Sequence, residues 1–362
     1  MSLPPTGRWR PGAAPAVVGR RPARPGVARL ELVDPLPDEL LVDRLEAALS
    51  RPQPTLSGLR EACPIDDRDA ALALLRVHDL HVGPIGDLWR GPNRQHHPVV
   101  AELKWRLEGT FLERIQEMDA ERGWDLPDEP IDALRAIQAV DRVPPMYHWL
   151  ADEAGPAELR AFLELEGGPD GGFDDLVAHC QVGLDGEAKV ELARNYWDEM
   201  GRGHQGRVHT ELHRTMAEAL QLGRVARREL PTACLERTLL GSTLATNRWL
   251  QPELLGALGL IELQAGPRCR KVVAGLRRIG APSAAFPFYE EHARVDPRHG
   301  RAWLDRAVAP VVAECPELGW RIVRGARWRS TVNARFLDAA RSSLGAAPTH
   351  PDSARFRLLT RI

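Results

Sequence analysis

The stretch FYEEHARVDPRHGRAW, residues 288–303, decides how the rest of the chain is read. His292, Asp296 and His299 stand in it at i, i+4 and i+7. A helix turns by about 100° per residue, so the three positions share a narrow arc and can project two imidazoles and a carboxylate toward one point. That is the donor set of a non-haem iron or manganese site. A lone histidine on a helix is usually a surface or satisfied core residue, and it is the triple spacing that raises a metal site above that reading. Pro297 opposes it, because a proline inside a helix removes one backbone bond and can kink the axis, which would swing His299 off the shared face.

Outward from this stretch the pattern is helical almost everywhere. Leucines at three- and four-residue spacing mark DELLVDRLEAAL (residues 38–49), and HPVVAELKWRLEGTFLERIQEMDAERG (residues 97–123) predicts a long amphipathic helix ending at Gly123. The Pro-rich linker LPDEPID (residues 126–132) precedes further helical segments, with breaks at Gly and Pro clusters such as GGPDGG (residues 167–172). No alternating strand pattern, Asn-Gly hairpin, fixed-period repeat, phosphate-cradling glycine motif or nucleophile turn is present. The expected fold class is therefore all-α. Residues 1–28 mix Arg, Pro, Gly and Ala with few large apolar groups and are expected to be a disordered tail, followed by an N-terminal helical extension over 29–124 and a principal domain over 125–362.

The 48 basic and 50 acidic residues give no overall field that would gather nucleic acid. No segment approaches the roughly 20 uninterrupted apolar residues of a membrane helix, and the Arg-rich start lacks the apolar stretch of a signal peptide. Cys63, Cys180, Cys234, Cys269 and Cys315 are odd in number and show no C-x-x-C pairing, which argues against a disulfide framework and for a reducing cytoplasm.

Two further segments carry acids in apolar company. In EAKVELARNYWDEMGRG, residues 187–203, Glu191 and Asp198 lie about 20° apart around a helix axis, among Leu192, Tyr196, Trp197 and Met200, with Glu199 as a competitor for the same role. Glu262 interrupts LLGALGLIEL (residues 254–263), where an acid is costly unless it meets an arginine such as Arg248 or Arg277, takes a proton or binds a metal. Six donors from facing helices of a bundle are what a two-metal carboxylate site requires.

With these segments in view, the chain resembles the haem-oxygenase-like di-iron oxidases and oxygenases, often described only as iron-containing redox enzymes. The likeness rests on ELARNYWDEMG, LGLIEL and FYEEHARVDPRHG and covers roughly residues 125–345. It implies a seven-helix bundle resembling haem oxygenase, here with the N-terminal helical extension. It also implies metal ligands at Glu191, Asp198, Glu262, His292, Asp296 and His299, with Glu164, Glu166, Glu199 and His209 as local candidates for an additional one. The implied cofactors are two Fe ions with O2 as co-substrate, and the same donors also accept Mn(II) in a mixed pair. The implied reaction is oxidation of a small organic substrate of amine, amino acid or fatty acid type in a biosynthetic role.

The chain contains no flavin or ferredoxin motif, so electrons are expected from an external reductase or a reducing substrate. The expected partners are thus a small-molecule substrate, that reductase and a second copy in a homodimer, with no nucleic acid and no membrane. Arg321, Arg324, Arg327 and Arg329 are either a carboxylate anchor at a substrate mouth or, as the blander account, a solvated helix face. Two alternatives stay open on the residues alone: a haem oxygenase or thiaminase-like enzyme on the same bundle, and a non-catalytic helical interaction module. The last predicts Glu191, Glu262 and His292 on different surfaces.

Overall fold

Helices follow the apolar periodicity element by element in the computed structural model, which describes residues 40–50, 56–87, 94–167 and 172–344. The tail expected over residues 1–28 lies outside the described residues. In chain order the helices are α1 (Leu41–Ser50), α2 (Asp67–Val82), α3 (Pro98–Glu121), α4 (Pro130–Val140), α5 (Pro145–Asp152), α6 (Pro156–Gly167) and α7 (Phe173–Cys180). They continue as α8 (Gly186–Glu199), α9 (His209–Ala219), α10 (Thr232–Ala245), α11 (Gln251–Arg278), α12 (Pro287–Ala302), α13 (Ala309–Glu314) and α14 (Gly319–Ser343), with a π-helical turn over Trp303–Val308. No strand occurs among the described residues. The long α3 stops where its sequence says it should, at Gly123, whose φ of 57° lies in the left-handed region.

The N-terminal helices share their core with the rest. The Asp69 carboxylate on α2 accepts the otherwise orphaned N–H groups of Leu41 (2.9 Å) and Val42 (3.1 Å), which fixes α1 on α2. Helix α2 packs on α10, and α3 on α14, so one apolar cluster runs from Leu40 to Ala340. A buried polar latch crosses this junction: His78 of α2 bonds Ser242 of α10 through Nδ1 (2.7 Å) and Glu108 of α3 through Nε2 (2.8 Å). Lys104 and Asn247 complete it by meeting the same Glu108 oxygen, Oε1, at 2.7 Å each.

At the centre is α11, packed against α5, α12 and α14. Its approach to α12 is close because glycines stand at the crossing: a Cβ on Gly300 would lie 2.9 Å from the backbone at Leu263 Cα, and one on Gly266 would lie 2.7 Å from the Pro297 ring at Cδ. Pro297 does not break α12, which runs through it. The carbonyl it deprives of a partner, on Ala293, accepts instead from Arg270 Nη1 at 3.2 Å. Pro267 in α11 is accommodated in the same way, since the Leu263 carbonyl accepts from Gln138 Nε2 at 2.7 Å.

Candidate metal centre

Unbroken through Pro297, α12 contributes to two separate groups of donors. Glu199, His209 and His292 form one, and Glu262, Asp296 and His299 form the other; within each, the donor atoms lie within 4.8 Å of one another. The second group exists because Gly300 lets the Glu262 turn of α11 meet α12 backbone to backbone, while Gly266 leaves room for the Pro297 ring. The first exists because of a tight loop. Glu199 ends α8 and His209 begins α9, and between them Gly201 takes φ +59° with its backbone pressed on that of Arg207 and Val208, where a Cβ would lie 2.5 Å from the Arg207 carbonyl carbon. Only glycine fits this return, which sets His209 Nδ1 2.7 Å from Glu199 Oε2.

Neighbouring groups orient the rings. His292 Nδ1 donates to the Phe288 carbonyl (2.7 Å), which leaves Nε2 as its free donor atom. Its ring lies 4.5 Å from that of His209. His299 directs Nε2 to Asp198 Oδ2 (2.8 Å) and Nδ1 toward Glu262 Oε2 (3.7 Å). Asn195 Nδ2 donates to Glu262 Oε1 at 2.6 Å. An imidazole held from behind by a carboxylate or carbonyl is how metal-binding histidines are aimed.

The electrostatics call for a cation. Asp296 and Glu262 are 2% and 3% exposed, yet Asp296 Oδ2 and Glu262 Oε2 have no hydrogen-bond partner, and neither has His209 Nδ1 in spite of its close contact with Glu199. Burial, followed by repulsion from Glu262, Glu199 and Glu291, pushes the Asp296 carboxyl well above its usual range. Burial opposes charge on His299, but the nearby Glu262 and Asp198 carboxylates outweigh it and raise the ring to about 9. His209 is likewise raised against burial by Glu199, whereas burial and the His209 charge lower His292. Orphaned oxygens among crowded carboxylates, with nitrogen donors between them, fit two divalent ions of the iron or manganese type.

Four of the six expected ligands, Glu262, His292, Asp296 and His299, thus stand in these groups. Glu191 and Asp198 do not. They share an angular position on α8, as expected, but seven residues separate them by about 10 Å along the axis. Glu191 is buried elsewhere, 3.3 Å from Arg194 and 3.8 Å from Arg306, and Asp198 sits behind His299 while also accepting from Arg202 (2.5 Å). Glu199 and His209 take the remaining places. Of the other local candidates, Glu164 accepts the N–H of Gly223, and Glu166 accepts from two tyrosines. Neither arginine considered for Glu262 reaches it: Arg248 bonds the Val182 carbonyl and Arg277 bonds Glu290. Arg321 and Arg324 are engaged with Glu253, which is 0% exposed, and Arg327 with Asp119, while Arg329 lines the cavity described next.

A cavity of about 950 Å³ opens on both groups, reaching Glu199, His209, Glu262, His292 and Asp296. Its lining also includes Leu75, His78 and Val82 of α2 and Leu240 of α10.

Residues 160–334 match the family of iron-containing redox enzymes. Over this segment, just under half of the chain, the sequence is similar to that family. All six donors of the two groups fall inside the matched segment, whereas α2 and α3 precede it. No curated protein matches the chain. No helix among the described residues is long and apolar enough to cross a membrane.

Proposed function

We propose that the chain is a non-haem di-iron oxidoreductase that uses O2 to oxidise a small organic substrate in the cytoplasm. Glu199, His209 and His292 would hold one ion, and Glu262, Asp296 and His299 the other. The observation that carries this is that one helix, α12, feeds two three-donor groups bordering one cavity. Iron bound there supplies Lewis acidity and the electrons for oxygen activation. Three protein donors per ion leave positions open on each.

The chain's own residues do the rest. Asp198 and the Phe288 carbonyl keep the two imidazoles in fixed orientation and tautomer. Asn195 steadies Glu262. The cavity walls would orient the reacting group. Electrons arrive from an external reductase or from a reducing substrate. Against the interaction module stands the meeting of Glu262 and His292 at one cavity. Against a cysteine nucleophile stands Cys269, the thiol in that wall, which burial and the nearby Asp296 and Glu166 push well above its ordinary value.

Anaerobic Fe(II) loading, metal counting and O2 consumption test the proposal. About two irons per chain and metal-dependent O2 uptake are expected. A chain that takes up no iron while keeping its helicity would sink it, and uptake of one iron with one manganese would redefine the pair.

A further inference from the structure

We propose that Ser242, His78 and Glu108 form a second reactive site on the same cavity, a serine nucleophile with its base and orienting carboxylate, which cleaves an uncharged carboxylic ester with an aliphatic acyl group. This site needs no metal ion and goes beyond the oxidative chemistry proposed above.

The three side chains make one hydrogen-bonded line. Glu108 Oε1 meets His78 Nε2 at 2.8 Å, and His78 Nδ1 meets Ser242 Oγ at 2.7 Å. Burial alone would raise the Glu108 carboxyl, but His78 and Lys104 hold it below its ordinary value, so it stands ionised. A carboxylate only accepts, so Nε2 carries the ring proton and Nδ1 turns its lone pair to the Ser242 hydroxyl. Burial lowers His78 in spite of Glu108, which keeps the ring neutral and able to take a proton at neutral pH. The other acceptor near the hydroxyl, the Leu239 carbonyl, is farther away at 3.2 Å.

An open end separates this set from a purely structural latch. Ser242 and His78 line the cavity, and Glu108 meets the ring on its other nitrogen, the order in which a nucleophile, its base and an orienting acid act. Thr238 lies one turn before Ser242 on the same face of α10 and also lines the cavity. Its Oγ1 has no hydrogen-bond partner among the described residues. That hydroxyl is free to donate to the oxygen that becomes negative when Ser242 adds to a carbonyl.

The walls beside the line select the acyl group. Leu75 and Val82, one turn to either side of His78 on α2, line the cavity, and so does Leu176, which packs at Gly241. Asp79, next to His78 in the chain, is neutralised by Arg227 at 2.6 Å. Ser242 Oγ adds to the ester carbonyl carbon as its proton passes to His78 Nδ1; the bond to the alcohol oxygen breaks, and the alcohol leaves with that proton. Water then adds to the acyl-serine carbon and gives a proton to Nδ1. The bond to Oγ breaks, Oγ takes the proton back, and a carboxylic acid is released with no change of oxidation state.

The full-length chain, treated with a chelator, is exposed to p-nitrophenyl butyrate, octanoate and hemisuccinate, or to phenylmethylsulfonyl fluoride, then quenched in acid and peptide-mapped by mass spectrometry. One acyl or sulfonyl group per chain, on Ser242, is expected, with the two aliphatic esters reacting faster than the anionic hemisuccinate. Ser242→Ala should remove the label and the ester cleavage that accompanies it. His78→Asn, which can still bond both neighbours but offers no basic nitrogen, should slow acylation by about a hundred- to ten-thousandfold, and Thr238→Val by about a hundredfold. Labelling of the unaltered chain decides even where a variant fails to fold. No label on Ser242, label on lysines instead, cleavage undiminished in a folded Ser242→Ala chain, or equal rates with the hemisuccinate overturns the proposal. A labelled Ser242 in a chain that takes up no iron leaves this assignment standing and removes the metal one, and iron uptake with Ser242 unlabelled does the reverse.

Discussion

Gly300→Ala tests whether the closeness of α11 and α12 is what assembles the second donor group. The new methyl would lie 2.9 Å from Leu263 Cα and 3.0 Å from both the Glu262 carbonyl oxygen and the Leu263 nitrogen. Comfortable contact between such atoms begins near 3.5 Å, so the helices must part by about 0.5 Å at the level of Glu262, Asp296 and His299. Metal–donor distances tolerate only about 0.2 Å. Overpacking costs about 1–3 kcal/mol, and replacing a helical glycine by alanine recovers up to about 1 kcal/mol, so the net loss of stability is about 0–3 kcal/mol. Iron affinity should fall out of proportion to that, by about tenfold or more. Urea denaturation gives the first quantity and anaerobic Fe(II) titration the second. Gly109→Ala on α3, where an added Cβ meets nothing within 4 Å, is the control and should gain about 0.5–1 kcal/mol with iron binding unchanged. Wild-type iron affinity in Gly300→Ala would refute the link between this crossing and the donor group.

Other perturbations separate the donors from their neighbours. Glu199→Ala and His209→Ala should each lower the iron content toward one per chain, while Glu191→Ala retains both; metal analysis of the three variants side by side decides. Asp198→Asn should keep the fold but loosen iron roughly ten- to a hundredfold, as loss of a group behind a ligating imidazole does, and unchanged affinity would make the bond to His299 incidental. His78 supplies a pH test away from the metal donors. Burial, against the opposing pull of Glu108, holds its folded-state pKa below 6.5, so below about that pH the unfolded chain binds a proton the folded chain resists. Stability should therefore be insensitive to this group above about pH 6.5 and fall as the pH drops below it. Denaturation profiles between about pH 7.5 and 5 should have a shallower slope in His78→Asn, and an identical slope would rule His78 out as the source.

Local periodicity made the helices legible, together with the placing of His292, Asp296 and His299 on one of them and the anomaly of Glu262 in an apolar run. What it left hidden was contact made across loops and between distant helices. Angular agreement between Glu191 and Asp198 said nothing of the axial distance between them. Glu199 and His209 meet only because the chain reverses at Gly201, and the available hint was a glycine-rich turn, GRG, just after an acid that ends a helix. The arginines around Arg324 resemble a solvated face in sequence because their acidic partners, Glu253 and Asp119, come from other helices. Pro297, which looked like an obstacle, is tolerated because Arg270 serves the carbonyl it strands.

The placement of α2 has a consequence for how this protein can be altered. Every donor atom comes from residues 199–299, whereas one face of the chamber beside them is furnished by residues 75–85, far upstream. The proposed ion-holding residues and part of the cavity lining thus come from separate stretches of chain. Exchanging α2 side chains such as Leu75 or Val82 offers a route to new substrate preference that leaves the ion-holding set intact.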